Sequence, residues 1–190
     1  MKTPTPAQFE DWSRRLAGSD RQAYTDVFEA TYDALYRYAW QYTHDADAAY
    51  DVLQDVFLKL WQVRARLDPA RSLKALLYQM TRNTALNLLR YRRRHAADAL
   101  DDALPVPAET PDAPDALDAD ALERLLRGWI DELPPRRREA FVLSRYVGLS
   151  HQEIADAMDL APKTVNNHIV LALQHLRSRL GTHQPDLSSL

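Results

Sequence analysis

The chain has 190 residues, 46% hydrophobic and 27% charged, which suits one or two packed domains and excludes wholesale disorder. It contains no cysteine, so a disulfide framework, thiolate metal sites and a cysteine nucleophile are excluded, and a reducing, cytoplasmic setting is expected. The net charge of −3 conceals an asymmetry: residues 64–95 carry nine Lys and Arg against the single acid Asp68, and residues 96–120 carry eight acids and no Lys or Arg. Residues 1–10 lack a basic stretch followed by an apolar core, and no segment approaches the roughly 18 apolar residues of a membrane span, so neither export nor membrane insertion is expected.

Apolar residues recur at three- and four-residue steps without a strict alternation of β-branched residues, which predicts an all-α protein. The first helix is expected over residues 6–17, with Phe9, Trp12 and Leu16 on one side and Gly18 as punctuation. The second covers residues 20–43, with Phe28, Tyr32, Leu35 and Ala39 as its buried stripe. The third covers residues 45–66; Ala49, Val52, Leu53, Val56 and Leu60 turn inward, while Asp51, Gln54, Asp55 and Lys59 turn outward. Phe57 and Trp61 suit either a partner face or the core. Leu67-Asp68-Pro69-Ala70-Arg71 breaks the pattern, and Ser72 suits the N-cap of a fourth helix running to about Arg94.

The buried stripe of that fourth helix is Leu73, Leu77, Met80, Thr84, Leu88 and Tyr91, which leaves Asn83, Asn87, Arg90 and Arg94 along one edge. Two amides and two guanidinium groups in a row suit a nucleic-acid strand, because Arg neutralises phosphate and Asn hydrogen-bonds base edges. The plainer alternative is a solvated basic face. Residues 96–120 follow, acidic and interrupted by Pro105, Pro107, Pro111 and Pro114; they read as a self-repelling linker, with a binding role of its own left open. The expected organisation is therefore a helical domain over residues 1–95, a linker over 96–120, a second helical domain over 121–181 and a tail over 182–190.

In the second domain a helix over residues 121–133 ends at Pro134-Pro135, and another over 136–147 ends at Gly148, which tolerates positive φ. Ser150-His151-Gln152-Glu153 has the form of a capping box and opens a short helix with Ile154, Ala155 and Met158 inward. Asp159-Leu160-Ala161 makes a tight turn, and Pro162 fits the first position of the next helix, where its missing N–H costs nothing. That helix, residues 162–180, buries Val165, Ile169, Ala172, Leu173, Leu176 and Leu180. The pair forms a helix-turn-helix, whose second helix enters the major groove by its N-terminal part. Lys163, Thr164, Asn166, Asn167 and His168 are the candidate readers. Val170 and Leu171, apolar on the outward side, suit thymine methyls, a neighbouring helix or a partner protein.

Both halves resemble the bacterial RNA polymerase sigma factors of the small extracytoplasmic-function type. Asp51-Val52-Leu53-Gln54-Asp55-Val56-Phe57-Leu58-Lys59-Leu60-Trp61 is similar to the segment by which such factors dock on the clamp helices of the polymerase largest subunit, with Asp55 where Glu is usual. The resemblance implies polymerase binding through Asp51, Gln54, Asp55, Leu58 and Trp61. Leu76-Leu77-Tyr78-Gln79-Met80-Thr81-Arg82-Asn83-Thr84-Ala85-Leu86-Asn87 resembles the helix that melts and reads the minus-ten promoter element. It implies contacts to opened DNA by Ser72, Lys74, Arg82, Asn83, Asn87, Arg90, Arg92, Arg93 and Arg94, with the loop over residues 67–72 capturing a flipped base.

Leu133-Pro134-Pro135-Arg136-Arg137-Arg138-Glu139-Ala140-Phe141 and Gly148-Leu149-Ser150-His151-Gln152-Glu153-Ile154-Ala155 resemble the domain that binds the minus-thirty-five element and the polymerase flap. The family fold is two small helical domains, region 2-like and region 4-like, joined here by the acidic, proline-rich linker. Extended, the 25 residues of that linker span up to about 85 Å; two promoter elements two helical turns apart are separated by roughly 70 Å. The expected partners are core RNA polymerase, promoter DNA and an inhibitory anti-sigma protein, with no cofactor.

The second half alone also resembles the effector domain of response regulators, so an operator-binding regulator is the principal alternative, and a purely protein-binding helical adaptor is another. An enzyme is not expected: the four glycines form no phosphate loop, and the six histidines are scattered without metal-ligand spacing.

Overall fold

The computed structural model describes residues 4–98 and 119–183. Among the described residues there are eight α-helices, one 3₁₀ turn and one π turn, and no strand. The chain divides into two compact units, Met1–Glu109 and Thr110–Leu190. Most of the expected acidic linker, residues 99–118, and most of the expected tail, residues 184–190, lie outside the described residues.

In the first unit each helix begins where a side chain can take up an orphan amide. Thr5 and Gln8 form a capping box for α1, Pro6–Ala17. The Asp20 carboxylate accepts the Gln22 and Ala23 amides to start α2, Arg21–Thr43, and Asp45 accepts the Ala48 amide to start α3, Ala46–Val63. A 3₁₀ turn, Arg64–Arg66, ends α3, and the Ser72 hydroxyl accepts the Ala75 amide at 3.1 Å to open α4, Leu73–Asp98. Ser19, not Gly18, supplies the left-handed residue between α1 and α2, with φ of 62°.

α2, α3 and α4 pack on one another, and α1 packs on α2, the 3₁₀ turn and α4. Leu16, Val27, Leu35, Val52, Leu53, Val56, Leu60 and Leu77 are completely enclosed. Two expected stripes are corrected. On α2 the buried positions are Ala23, Val27, Thr31, Leu35, Tyr38, Ala39 and Thr43, so the stripe is rotated away from Phe28, which is 39% exposed, and Tyr32. On α4 the buried stripe ends at Ala85 and only half-covers Leu88, and Tyr91 is 57% exposed.

The second unit comprises α5, Ala119–Asp131; α6, Pro135–Val142, continued by the π turn Leu143–Val147; α7, His151–Met158; and α8, Pro162–His183. Ile130, Leu133, Phe141 and Ala172 form one buried cluster, and Leu143, Ile154, Ala155, Met158 and Val165 are buried as well. Gly148 takes φ of 76° to end the π turn, a conformation that a side chain would strain. The expected single helix over 136–147 thus changes its hydrogen-bonding step at Leu143. Leu180, expected inside, is 44% exposed.

Candidate polymerase and nucleic-acid interfaces

α3 has two sharply different faces. Ala48, Ala49, Val52, Leu53, Val56, Phe57 and Leu60 are buried, while Asp51, Gln54, Asp55 and Leu58 are exposed. Leu58 is 55% exposed and Tyr50 49%, so apolar groups stand beside carboxylates and an amide on a helix already anchored from behind. Such a mixed patch, rigid and only partly apolar, has the composition of a protein-binding surface. Phe57 is core. Trp61 is half-buried, with its ring 5.3 Å from Tyr24 and beneath the Arg64 guanidinium at 4.1 Å.

Beside α3 lies an aromatic row on α2, of which Phe28 and Tyr32 were expected in the buried stripe. The Phe28 ring lies 4.7 Å from Phe57 and 5.2 Å from Tyr32, and Tyr32 stacks on Tyr36 at 6.3 Å. The signal was present in the four-residue spacing of Tyr24, Phe28, Tyr32 and Tyr36, which puts all four on one edge of α2.

On α4, Asn83, Asn87, Arg90, Arg92, Arg93 and Arg94 are exposed together. Arg90 donates to the Asn87 Oδ1 at 2.9 Å, and the Arg94 Nε donates to the Arg90 carbonyl at 3.4 Å, so the row is braced internally. Arg92 donates to the Asp45 Oδ2 at 3.1 Å, tying the C-terminal half of α4 to the start of α3. The Asp45 carboxyl is held below its ordinary value by the Ala48 amide first and by Arg92 second.

Arg82 departs from the expectation. It is only 8% exposed, buried four residues after Tyr78, and does not stand on the exposed basic edge. Lys74 is half-buried with its Nζ 5.8 Å from the Phe9 ring, and the Ser72 hydroxyl is engaged in capping α4.

In the second unit the Ser150 hydroxyl accepts the Glu153 amide at 3.2 Å, and the Glu153 carboxylate accepts the Ser150 amide at 2.7 Å. Asp159 turns the chain in the left-handed region, φ 55° and ψ 56°, and the Leu160 amide donates to the Ala155 carbonyl at 3.0 Å. The helix-turn-helix is therefore fixed at both ends of α7. On α8, Lys163, Asn166 and Asn167 are exposed, Thr164 and His168 are half-buried, and Val170 and Leu171 are each 41% exposed. His168 is held below the ordinary imidazole value of 6.5 by partial burial, then by the positive charges of Arg137 and Arg136. Those two arginines were missed as candidate contacts; their signal was the Pro135-Arg136-Arg137-Arg138 run at the start of α6. Among the described residues no group of three or more His, Asp and Glu is placed to hold a metal, and no helix is long and apolar enough to cross a membrane.

The second unit carries a helix-turn-helix, and the first an exposed row of amides and arginines of the composition that suits nucleic acid. Residues 27–95 match the sigma-70 region 2 family, and residues 123–176 match sigma-70 region 4. The chain is 32% identical over 161 residues to the extracytoplasmic-function RNA polymerase sigma factor SigL of Mycobacterium tuberculosis, covering 81% of this chain and 89% of that one. It is 29% identical to SigE of Mycolicibacterium smegmatis, covering 93% of this chain and 74% of the relative. Two solved structures share the fold: CnrH in complex with the cytosolic domain of CnrY, with 23% identity, a TM-score of 0.62 and coverage of 92% and 98%; and RpoE of Bartonella quintana in complex with the anti-sigma factor NepR, with 24% identity, a TM-score of 0.64 and coverage of 83% and 96%. The chain belongs to the extracytoplasmic-function family of RNA polymerase sigma factors. It is a sigma factor that directs transcription initiation.

Proposed function

We propose that the two units divide promoter recognition between them: the first binds core polymerase and holds opened minus-ten DNA, and the second reads the minus-thirty-five duplex and meets the polymerase flap. The observation that carries this reading is the two-faced α3, whose exposed Asp51, Gln54, Asp55 and Leu58 are set on a completely buried back. A surface so rigidly supported loses little entropy on docking. Trp61 forms the end of that surface, and the clamp helices of the largest subunit are its partner.

Asn83 and Asn87 then meet bases of the opened strand, while Arg90, Arg92, Arg93 and Arg94 neutralise its backbone, with the loop of residues 67–72 and Lys74 at its entrance. Arg82 supports the helix from inside. In the second unit Lys163, Thr164, Asn166, Asn167 and His168 face the major groove, with Val170 and Leu171 at its margin. The polymerase supplies the nucleotidyl transfer, and no cofactor of this chain takes part. Such a protein acts in the cytoplasm, where the polymerase and promoters are. An anti-sigma protein is a further partner: the solved Bartonella quintana relative is held by one, and the exposed Leu58, Tyr50 and Phe28 offer an apolar surface for such contact.

The division is tested by footprinting assembled holoenzyme on a promoter that it transcribes. Asn83→Ala is expected to reduce strand opening while upstream protection persists; Asn167→Ala is expected to reduce upstream protection. Loss of both signals in both variants contradicts the division.

A further inference from the structure

The end of α3 is built differently from the rest of its exposed face. Asp51, Gln54, Asp55 and Leu58 are exposed opposite buried residues of the same helix, whereas Trp61 lies in the last turn, one residue past Leu60, and is half-buried. Its indole is held by other side chains. The Tyr24 ring lies 5.3 Å away with the planes inclined at 72°, and Tyr24 is itself fixed, its hydroxyl donating to the Phe57 carbonyl at 3.2 Å. The Arg64 guanidinium lies over the indole at 4.1 Å.

Arg64 is tied at two further points. It opens the 3₁₀ turn three residues after Trp61, a spacing that brings the two side chains together. Its Nη1 donates to the Trp61 carbonyl at 2.6 Å, and its Nε donates to the Ser19 hydroxyl at 3.0 Å. Ser19 is a fixed acceptor: it sits at φ 62°, its amide donates to the Leu16 carbonyl at 2.8 Å, and the next residue, Asp20, caps α2. A planar guanidinium aimed at two fixed, neutral acceptors is held by direction rather than by charge pairing. The indole beneath it is therefore ordered before any partner arrives. A ring that need not be ordered on docking gains about two- to tenfold in affinity. We propose that Arg64 is a positioning residue, which clamps the Trp61 indole from the turn between α1 and α2 in the orientation that meets core polymerase. This rests on the reading of the exposed face of α3 as the polymerase-docking surface.

The test uses the full-length chain, labelled with fluorotryptophan for fluorine NMR and titrated with core polymerase. Single substitutions to Phe identify the resonances of the four tryptophans. Arg64→Ala is expected to shift or broaden the Trp61 resonance, to leave those of Trp40 and Trp129 in place, and to weaken polymerase binding about fivefold. Arg64→Lys, which keeps the cation without the planar fork, should fall between wild type and Arg64→Ala. Ser19→Gly removes one brace at a backbone position that glycine accepts, and should move the same resonance and weaken binding less than Arg64→Ala does. In a Trp61→Ala background, Arg64→Ala should change polymerase binding by less than about twofold. A loss of the same size with and without the indole, or an unmoved Trp61 resonance in Arg64→Ala, overturns the proposal. If Trp61→Ala weakens binding and Arg64→Ala does not, the reading of α3 stands and the positioning role is wrong. If Trp61→Ala binds as wild type, the indole is no part of the docking surface and the role of Arg64 falls with that reading.

Discussion

The first unit makes its proposed binding surfaces from the uncovered faces of long helices, whereas the second makes its proposed surface from the start of one helix whose position is fixed by caps and turns. α3 and α4 present Gln54, Asp55, Asn83 and Arg93 opposite buried Leu53, Leu60, Leu77 and Ala85. α8 presents Lys163 and Asn167 because the Ser150–Glu153 box and the left-handed Asp159 set where α7 begins and ends. Core packing therefore positions the first set of contacts, and punctuation of the backbone positions the second. Damage to each should be felt differently.

The largest effect is expected from emptying the core behind α3. Leu60 is completely buried, and Leu60→Ala should cost about 2–5 kcal/mol of stability. Hydrogen exchange should then rise across α2, α3 and α4 and stay unchanged in α6, α7 and α8. A rise of equal size in both units breaks the comparison.

Next come the DNA contacts. Asn167→Ala should cost about 1–3 kcal/mol on one upstream sequence and little on others, whereas Arg93→Ala should weaken binding across sequences and flatten its salt dependence. Binding isotherms on a panel of promoters at several salt concentrations would separate the two.

Removing the cap tests the second unit on its own terms. Ser150→Ala should cost about 1 kcal/mol, seen as faster exchange of the first amides of α7 and weaker upstream binding with binding to preopened promoter DNA unaltered. The smallest effect is a pH dependence at Asp45. Its carboxyl is held below the ordinary 3.8 by the Ala48 amide and then by Arg92, so its contribution to stability is complete above that value and is lost as pH falls through the lowered one. Urea titrations from pH 7 to pH 3 should show wild type and Asp45→Ala converging at the acid end; a gap that stays constant over that range contradicts the assignment.

Much of this was legible in the sequence. Helical spacing located α1 to its end residues, the buried face of α3 and the amide row of α4, and the Ser150, Asp159 and Pro162 signals located the helix-turn-helix. What escaped depended on tertiary neighbours. Periodicity assigned Tyr91 and Leu180 to buried stripes, yet Tyr91 is 57% and Leu180 44% exposed. The resemblance implies Arg82 as a contact to opened DNA, although its position on α4 is enclosed. The Asp45–Arg92 pair joins residues 47 apart, and the approach of Arg136 and Arg137 to His168 joins α6 to α8; neither is encoded in local spacing.

The central claim is that the exposed face of α3 binds core polymerase. Its most direct test is equilibrium binding of the purified chain to bacterial core RNA polymerase, comparing wild type with a Gln54→Ala, Asp55→Ala double variant, followed by run-off transcription. Tight binding by wild type, weakened in the double variant together with promoter-dependent transcript, is the predicted result. Equal binding and equal transcript from both proteins would contradict the claim.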